Sequence, residues 1–157
     1  MSLHFWMIGK TKEKYLLSGI EEYKKRLKRF IKIEQVIIPD VKNAAKIPVV
    51  DLKKQEAELV FKQLQPNDYL ILLDEKGKQF TSRKFAQLIE RRLNNSGQRT
   101  IFLIGGAFGF DEALYQRCNA KISVSEMTFS HQLIRLLFWE QLYRAVSIIN
   151  GLPYHND

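Results

Sequence analysis

The chain is poor in the residues that staple small folds or bind metals. Cys118 is its single cysteine, so it forms no intrachain disulfide and no cysteine cluster for zinc. The histidines, His4, His131 and His155, lie far apart, and we expect no metal site. No apolar run approaches the roughly 18 residues of a membrane helix, and we expect neither a membrane segment nor a signal peptide. These absences favour a reducing, cytoplasmic setting.

Size and composition are those of one globular domain with a basic surface. The 157 residues fit a single domain over 1–157, and 45% of them are hydrophobic. Residues 1–100 contain 21 basic and 12 acidic side chains, whereas residues 101–157 contain 4 and 5. A net charge of +8 favours a polyanionic partner, most simply nucleic acid, although a solvated basic surface would have the same composition.

Hydrophobic periodicity alternates between strand and helix along the chain. Short apolar runs predict strands, and apolar residues spaced by three and four predict helices. The predicted strands are 3–9, 31–38, 69–73, 100–104 and 121–124; the predicted helices are 12–30, 51–64, 82–94, 111–117 and 131–149. This order predicts an α/β fold, a doubly wound and mostly parallel sheet with helices on both faces.

Ligands of such sheets bind outside the carboxyl ends of the strands. We therefore expect a site among a polar turn at 74–80 and two loops at 105–110 and 125–130. The run GGAFG at 105–109 suits a close approach of a ligand to the backbone, but a tight strand-to-helix turn needs the same glycines. The segment 125–131 brings hydroxyls, Glu126 and His131 together, and helix capping would explain it equally well.

The last predicted helix is apolar around nearly its whole circumference. One stripe packs on the sheet, and the remainder predicts a large exposed apolar patch, which usually marks an interface. We therefore expect a two-fold homodimer through this helix, unless a neighbouring helix covers the patch. Glu140 and Arg144 lie four residues apart within it, as an ordinary ion pair or as part of a site.

Several segments taken together resemble the RlmH family of SPOUT-class RNA methyltransferases. They are LIGGAFGF at 103–110, SEMTFSHQLIRLLFWEQLYRA at 125–145, GLPYH at 151–155 and MIGKTKEKYLLSGIEEYKKRL at 7–27. The resemblance spans essentially the whole chain. It implies methylation of N3 of a pseudouridine in large-subunit ribosomal RNA, a homodimer whose site is completed across the interface, and a C-terminal trefoil knot, which pattern reading would not propose.

The resemblance also implies S-adenosylmethionine as the cofactor, bound in the knot. Carried over residue by residue, its contacts fall on Leu73, Gly105, Gly106, Val124, Ser125, Glu126, Met127, Thr128 and Phe129.

Transfer of a methyl group to an imide nitrogen needs alignment and removal of the N3 proton. We expect His155 to accept that proton and Arg144 to stabilise charge or grip phosphate. Tyr154 would contact the base, Glu140 would orient Arg144, and His131 is a weaker candidate. RNA would arrive over a basic first helix, through Lys10, Lys12, Lys14, Lys24, Lys25, Arg26, Lys28 and Arg29.

Two other classes of protein remain open. A non-catalytic ribosome-binding or assembly module would use the same basic face and would not bind S-adenosylmethionine. A flavodoxin-like oxidoreductase would share the strand and helix pattern, but the basic charge and the lack of a GxGxxG run disfavour it.

Overall fold

The computed structural model describes residues 3–95 and 97–156. The ends of the predicted domain, residues 1–2 and 157, and residue 96 of the loop after the third predicted helix lie outside the described residues. The elements are β1 Leu3–Ile8, α1 Lys14–Leu27, β2 Ile33–Ile38, α2 Val49–Gln63, β3 Tyr69–Gln79, α3 Ser82–Asn94, β4 Thr100–Ile104, α4 Glu112–Arg117, β5 Ala120–Ser123 and α5 Leu133–Ile149, with a short 3-10 helix at Ala44–Lys46.

The strands form one five-stranded sheet in the order β2-β1-β4-β3-β5. Every pairing between the described strands is parallel; Leu3, for example, lies opposite Ile33 on one side and Thr100 on the other. The predicted α/β fold with a parallel sheet is therefore confirmed. The strand order reverses between β1 and β4, because the chain leaves β1 toward β2 and then crosses to the other side of the sheet.

Each face of the sheet is covered by its own set of helices. Leu3, Phe5 and Met7 of β1 pack under α1, α3 and α5, whereas Trp6 and Ile8 point to the opposite face, against α2 and α4. The alternation follows from the two-residue repeat of a strand. Both sets are almost fully buried, which explains why the strands read as continuous apolar runs.

Helix α5 lies between α1 and α3, and this reduces its apolar surface. Phe138, Trp139 and Leu142 are buried in the core, and the rest of the helix is buried or half-buried; no residue of α5 is exposed. Leu136 packs on Gly19 of α1, where an added Cβ would lie 2.8 Å from a Leu136 methyl carbon. The apolar patch is thus smaller than the sequence predicted, because neighbouring helices cover part of it.

The polar turn predicted at 74–80 is wrong, since β3 runs on to Gln79. After an irregularity between Leu73 and Lys78, Lys78 and Gln79 pair with Ile122 and Ser123 of β5. This extension is mostly exposed and has no apolar alternation, so only its pairing with a distant strand makes it β.

Helix boundaries shift by a few residues. Helix α1 begins two residues later than predicted, because the Lys12 N–H donates to the Gln132 side chain rather than entering the helix. Helix α5 begins at Leu133, whose N–H donates to Ser130 Oγ. In the described part of the chain, no helix combines the length and the apolar character that crossing a membrane requires.

Candidate active site

A cleft of about 560 Å³ opens at the carboxyl ends of β3, β4 and β5. Its walls come from the start of the β3 extension, from the loop after β4 and from the segment that joins β5 to α5. These are the three segments that the sequence predicted to form the site, although the first of them is a strand extension and not the predicted turn. The volume lies within the ~300–1,000 Å³ that small-molecule sites occupy.

The loop after β4 presents its backbone to the cleft. An added Cβ on Gly105 would lie 3.0 Å from the Phe110 ring, so this position has little room for a side chain. The Gly109 N–H donates to the Gly106 carbonyl at 3.3 Å, and Gly109 has a φ of +82°, which closes a tight turn. The glycine run thus forms a compact turn whose peptide groups face the cleft.

The segment after β5 is held by hydrogen bonds at several points. Ser123 Oγ donates to the Ser125 carbonyl at 2.8 Å, and the Met127 N–H donates to Ser125 Oγ at 2.9 Å. Thr128 Oγ1 donates to Glu75 Oε2 at 2.6 Å, which ties the loop to the β3 extension. The position of this loop therefore depends on the part of β3 that the sequence did not predict.

Apolar side chains at the mouth of the cleft are open to solvent. Met127 is 77% exposed and Phe108 is 56% exposed, and Val124 and Phe129 lie beside them with more than a third of their surface exposed. Exposed large apolar groups around a concave site typically mark a binding site for an apolar or aromatic ligand surface.

The structure brings eight of the nine predicted cofactor contacts to this cleft. They are Leu73, Gly105, Gly106, Val124, Ser125, Met127, Thr128 and Phe129. Glu126 belongs to the same loop, but it is exposed and does not line the cleft. His131 does line it, and burial with the nearby Arg135 lowers the pKa of this imidazole, so the ring is neutral at pH 7.

The predicted catalytic residues form a second cluster at the end of α5. Arg144 Nη2 and Nε donate to Glu140 Oε1 at 2.6 and 3.1 Å. Tyr154 donates its hydroxyl to the same oxygen at 3.0 Å, and Arg144 Nη1 lies 3.1 Å from His155 Nδ1. The four side chains, which lie within 16 residues of one another, thus make one hydrogen-bonded network. The C-terminal tail that carries two of them is packed against the helix.

Aromatic residues that sequence reasoning missed support this network. The Tyr23 hydroxyl lies 3.4 Å from that of Tyr154, and the Tyr143 ring packs edge-on against the Tyr154 ring. Burial, together with the contacts to Tyr23 and Glu140, raises the pKa of Tyr154, so its hydroxyl stays protonated and acts as a donor. Tyr143 stands within the YRA run next to Arg144, which was the one local signal that could have found it.

The cluster and the cleft are separate within one chain. Ile134 lines the cleft near the start of α5, and Arg144 lies ten residues later, about 15 Å along the helix axis. Glu140, Arg144, Tyr154 and His155 do not line the cleft. The structure therefore joins the predicted catalytic residues to one another but not to the predicted cofactor contacts.

The fold and the cleft define an α/β protein with a concave site of small-molecule size at the carboxyl edge of a parallel sheet. Comparison with known proteins shows which family of α/β proteins the chain belongs to. A family model described as "Predicted SPOUT methyltransferase" matches residues 1–155. The chain belongs to the SPOUT methyltransferase family.

Similar proteins cover the chain from end to end. Two relatives named "Ribosomal RNA large subunit methyltransferase H" come from Parabacteroides distasonis and Cytophaga hutchinsonii. The first is 48% identical over 100% of both chains, and the second is 50% identical over 99% of this chain and 100% of its own. The crystal structure of a probable methyltransferase from Bordetella pertussis covers 92% of this chain and 93% of its own, with a TM-score of 0.57 and 15% identity, and shows a similar fold.

Proposed function

We propose that the chain is an S-adenosylmethionine-dependent methyltransferase that methylates N3 of a pseudouridine in large-subunit ribosomal RNA, in the cytoplasm and on the assembled ribosome. The cleft carries this proposal, because it gathers the predicted cofactor contacts at one sheet edge. Full-length similarity to relatives named as large-subunit ribosomal RNA methyltransferases supports the substrate class.

The residues of the cleft fit the proposed cofactor. Exposed apolar groups, Phe108, Val124, Met127 and Phe129, offer a surface for an adenine ring, and the peptide groups of the glycine turn and of the 124–129 loop offer polar contacts. When bound, S-adenosylmethionine supplies an activated methyl group on a sulfonium sulfur.

The protein's own contribution is to orient the RNA base and to manage one proton. A neutral imide N3 has no good lone pair, so it must lose its proton as the methyl group is transferred. A cation beside the base stabilises the negative charge that develops. Arg144 is that cation in our proposal, and Glu140 orients its guanidinium through two hydrogen bonds.

The geometry around His155 adds a condition to its role as proton acceptor. Arginine only donates, so His155 Nδ1 accepts from Arg144 at 3.1 Å, and the neutral ring carries its hydrogen on Nε2. We propose that Arg144 turns toward the RNA when the base enters and so frees Nδ1 to accept the N3 proton. Tyr154, held as a donor, contacts the base.

A homodimer would bring the predicted catalytic residues of one chain next to the cleft of the other. We propose that a two-fold partner places its Glu140, Arg144, Tyr154 and His155 against the cleft of the first chain. The half-buried apolar residues of α5 that α1 and α3 leave partly open, including Leu137 and Ile149, supply part of the interface. The separation of about 15 Å within one chain is the observation that favours this arrangement.

The first helix offers a surface for the RNA backbone. Lys25 is exposed on α1, and Lys28 and Arg29 are exposed directly after its end. Lys24 and Arg26 are half-buried against Trp139 and Tyr23. Exposed lysines and arginines on one helix make phosphate contacts that do not depend on base sequence.

We also propose that the C-terminal segment is threaded as a trefoil knot. Gly77 of the β3 extension lies so close to β5 that an added Cβ would meet the Ile122 backbone at 2.7 Å. Support for the threading comes from the match of residues 1–155 to the SPOUT methyltransferase family model.

The test is methyl transfer to ribosomes. Isotope-labelled S-adenosylmethionine is incubated with the protein and with ribosomes from cells that lack the endogenous activity, and the label is mapped by nuclease digestion and mass spectrometry. We expect label on a single pseudouridine. Absence of both label and cofactor binding would contradict the proposal and favour a ribosome-binding module.

Matched variants test the residue roles in the same assay. His155→Ala and Arg144→Ala should each lower the rate of transfer by about 10²-fold or more, the usual range for a proton acceptor or a charge-stabilising group. Arg91→Ala removes an exposed arginine of α3 and should keep the wild-type rate. If both active-site variants turn over like Arg91→Ala, the assignment is wrong.

A further inference from the structure

Among the described residues, Glu56 of α2 has a largely buried side chain and no hydrogen-bond or ion-pair partner. The residue is 9% exposed, and in the part of the chain that the structure describes no hydrogen-bond donor or cation pairs with its carboxylate. Burying a carboxylate without such contacts is costly. The carboxylate oxygens are not among the fully enclosed, unpaired polar atoms of the described residues, so they keep some access to solvent.

The carboxylate lies at the carboxyl edge of the sheet, where the strand order reverses. It is held against Gly106, since a Cβ added there would lie 2.7 Å from Glu56 Oε2 and 3.3 Å from Oε1. Gly106 itself lines the cleft, and so does Lys53, one turn before Glu56 on the same helix. Only the thickness of a glycine backbone therefore separates the carboxylate from the cleft.

The surroundings of Glu56 leave it without an internal counter-charge. The other charged group that acts on it is the Asp40 carboxylate at the end of β2, which carries the same charge. Burial and, less strongly, Asp40 raise the pKa of Glu56 to about 7. Lys53 lines the cleft one turn away on the same helix, but in the described structure it makes no ion pair with Glu56. Arg135 donates to the Ile8 and Gly9 carbonyls, and burial lowers the pKa of His131.

We propose that Glu56 is the counter-charge for a cationic group of the cofactor bound against Gly106. The inference rests on the proposed function. S-adenosylmethionine carries a sulfonium and an ammonium, and the demethylated product, S-adenosylhomocysteine, keeps only the ammonium. A cation brought beside Glu56 favours the ionised carboxylate, so binding releases the proton that Glu56 holds in the free protein.

The test is the number of protons released on binding, measured by titration calorimetry in buffers of different ionisation enthalpy. At pH 7 about half of a group with a pKa near 7 is protonated, so the wild type should release about half a proton per S-adenosylmethionine bound. The wild-type affinity should rise about tenfold from pH 6 to pH 8. Glu56→Gln should abolish both effects, and Glu58→Gln, which changes an exposed carboxylate of the same helix, should keep them.

Two further ligands identify the cationic group. Sinefungin has an amine in place of the methyl sulfonium, and S-adenosylhomocysteine has a neutral sulfur. Proton release with sinefungin but not with S-adenosylhomocysteine assigns Glu56 to the sulfonium position, and release with all three ligands assigns it to the ammonium. Both results support the proposal.

Other outcomes overturn it. Equal proton release by Glu56→Gln and the wild type would refute a role for Glu56, as would a wild-type affinity that does not change between pH 6 and pH 8, a measurement that needs no variant. Neither result touches the methyltransferase proposal. A wild type that binds no S-adenosylmethionine would instead overturn both.

Discussion

Substitution of Gly77 by alanine should destabilise the fold and weaken binding at the cleft. It lies in the exposed extension of β3, where a Cβ would meet three backbone atoms of Lys121 and Ile122 at 2.7 Å. Ordinary contact begins near 3.4 Å, so Gly77→Ala must separate the two segments by about 0.7 Å. Backbone atoms cannot rotate away as the end of a flexible side chain can, and the strain therefore passes into β5 and the loop that follows it.

The expected cost is that of overpacking a tight contact. Such changes destabilise by about 1–3 kcal/mol. For a chain of this size, that lowers Tm by roughly 2–12 °C. Because Ser123 and Ser125 follow the displaced residues and line the cleft, we also expect weaker binding of S-adenosylmethionine.

Thermal denaturation and titration calorimetry check both effects. Gly97→Ala is the matched control. Apart from its two chain neighbours, no atom of the described residues lies within 4 Å of an added Cβ at that position, and its backbone has no positive φ. If Gly77→Ala equals Gly97→Ala in both Tm and affinity, the close packing of the β3 extension on β5 is not the constraint that we describe.

Three more predictions concern stability and RNA binding. The pKa of Glu56 is about 7 in the folded protein, against an ordinary value of 4.5. As pH rises from 4.5 to 7, ionisation of Glu56 should therefore lower the free energy of unfolding by about 3 kcal/mol. In denaturant titrations, Glu56→Gln should make the free energy of unfolding less dependent on pH over this range. Asp68→Asn removes the hydrogen bonds from Arg99 at 2.6 and 2.7 Å and should cost about 2–3 kcal/mol in the same assay. It should leave cofactor affinity unchanged, because Asp68 lies at the opposite edge of the sheet. In filter-binding titrations against salt, Lys28→Ala and Arg29→Ala should each reduce the log–log slope of RNA affinity by about one.

Local patterns predicted most of the fold. Strands such as β1 and β4 were predicted correctly, because residues that are buried on both faces of a parallel sheet form uninterrupted apolar runs. Helices α2 and α3 were predicted correctly, because apolar residues recur on one face of each helix only. The β3 extension was not predicted, because its strand conformation comes from pairing with Ile122 and Ser123, more than forty residues later in the chain.

The candidate site likewise has a part that local patterns predict and a part that only the tertiary structure shows. The α/β pattern alone predicts that the site lies among the segments after β4 and β5 and the segment at 74–80, although the last is a strand and not a turn. The cofactor contacts at Leu73, Gly105 and 124–129 come from the resemblance. The hydrogen bond from Thr128 to Glu75 and the contact between Glu56 and Gly106 join segments fifty or more residues apart, and no local pattern records them.

The sequence by itself determined the α/β class, the two-sided core and the edge of the sheet where the cleft lies, because these depend on the repeat of apolar residues within each element. Tertiary structure alone decided how helices α1 and α3 cover α5, how Tyr154 and His155 join Glu140 and Arg144, and how far that network lies from the cleft. It also left Glu56 without a hydrogen-bond or ion-pair partner among residues 3–95 and 97–156. The physical reason is that distances between elements depend on side chains from different segments, which periodicity along one segment does not encode.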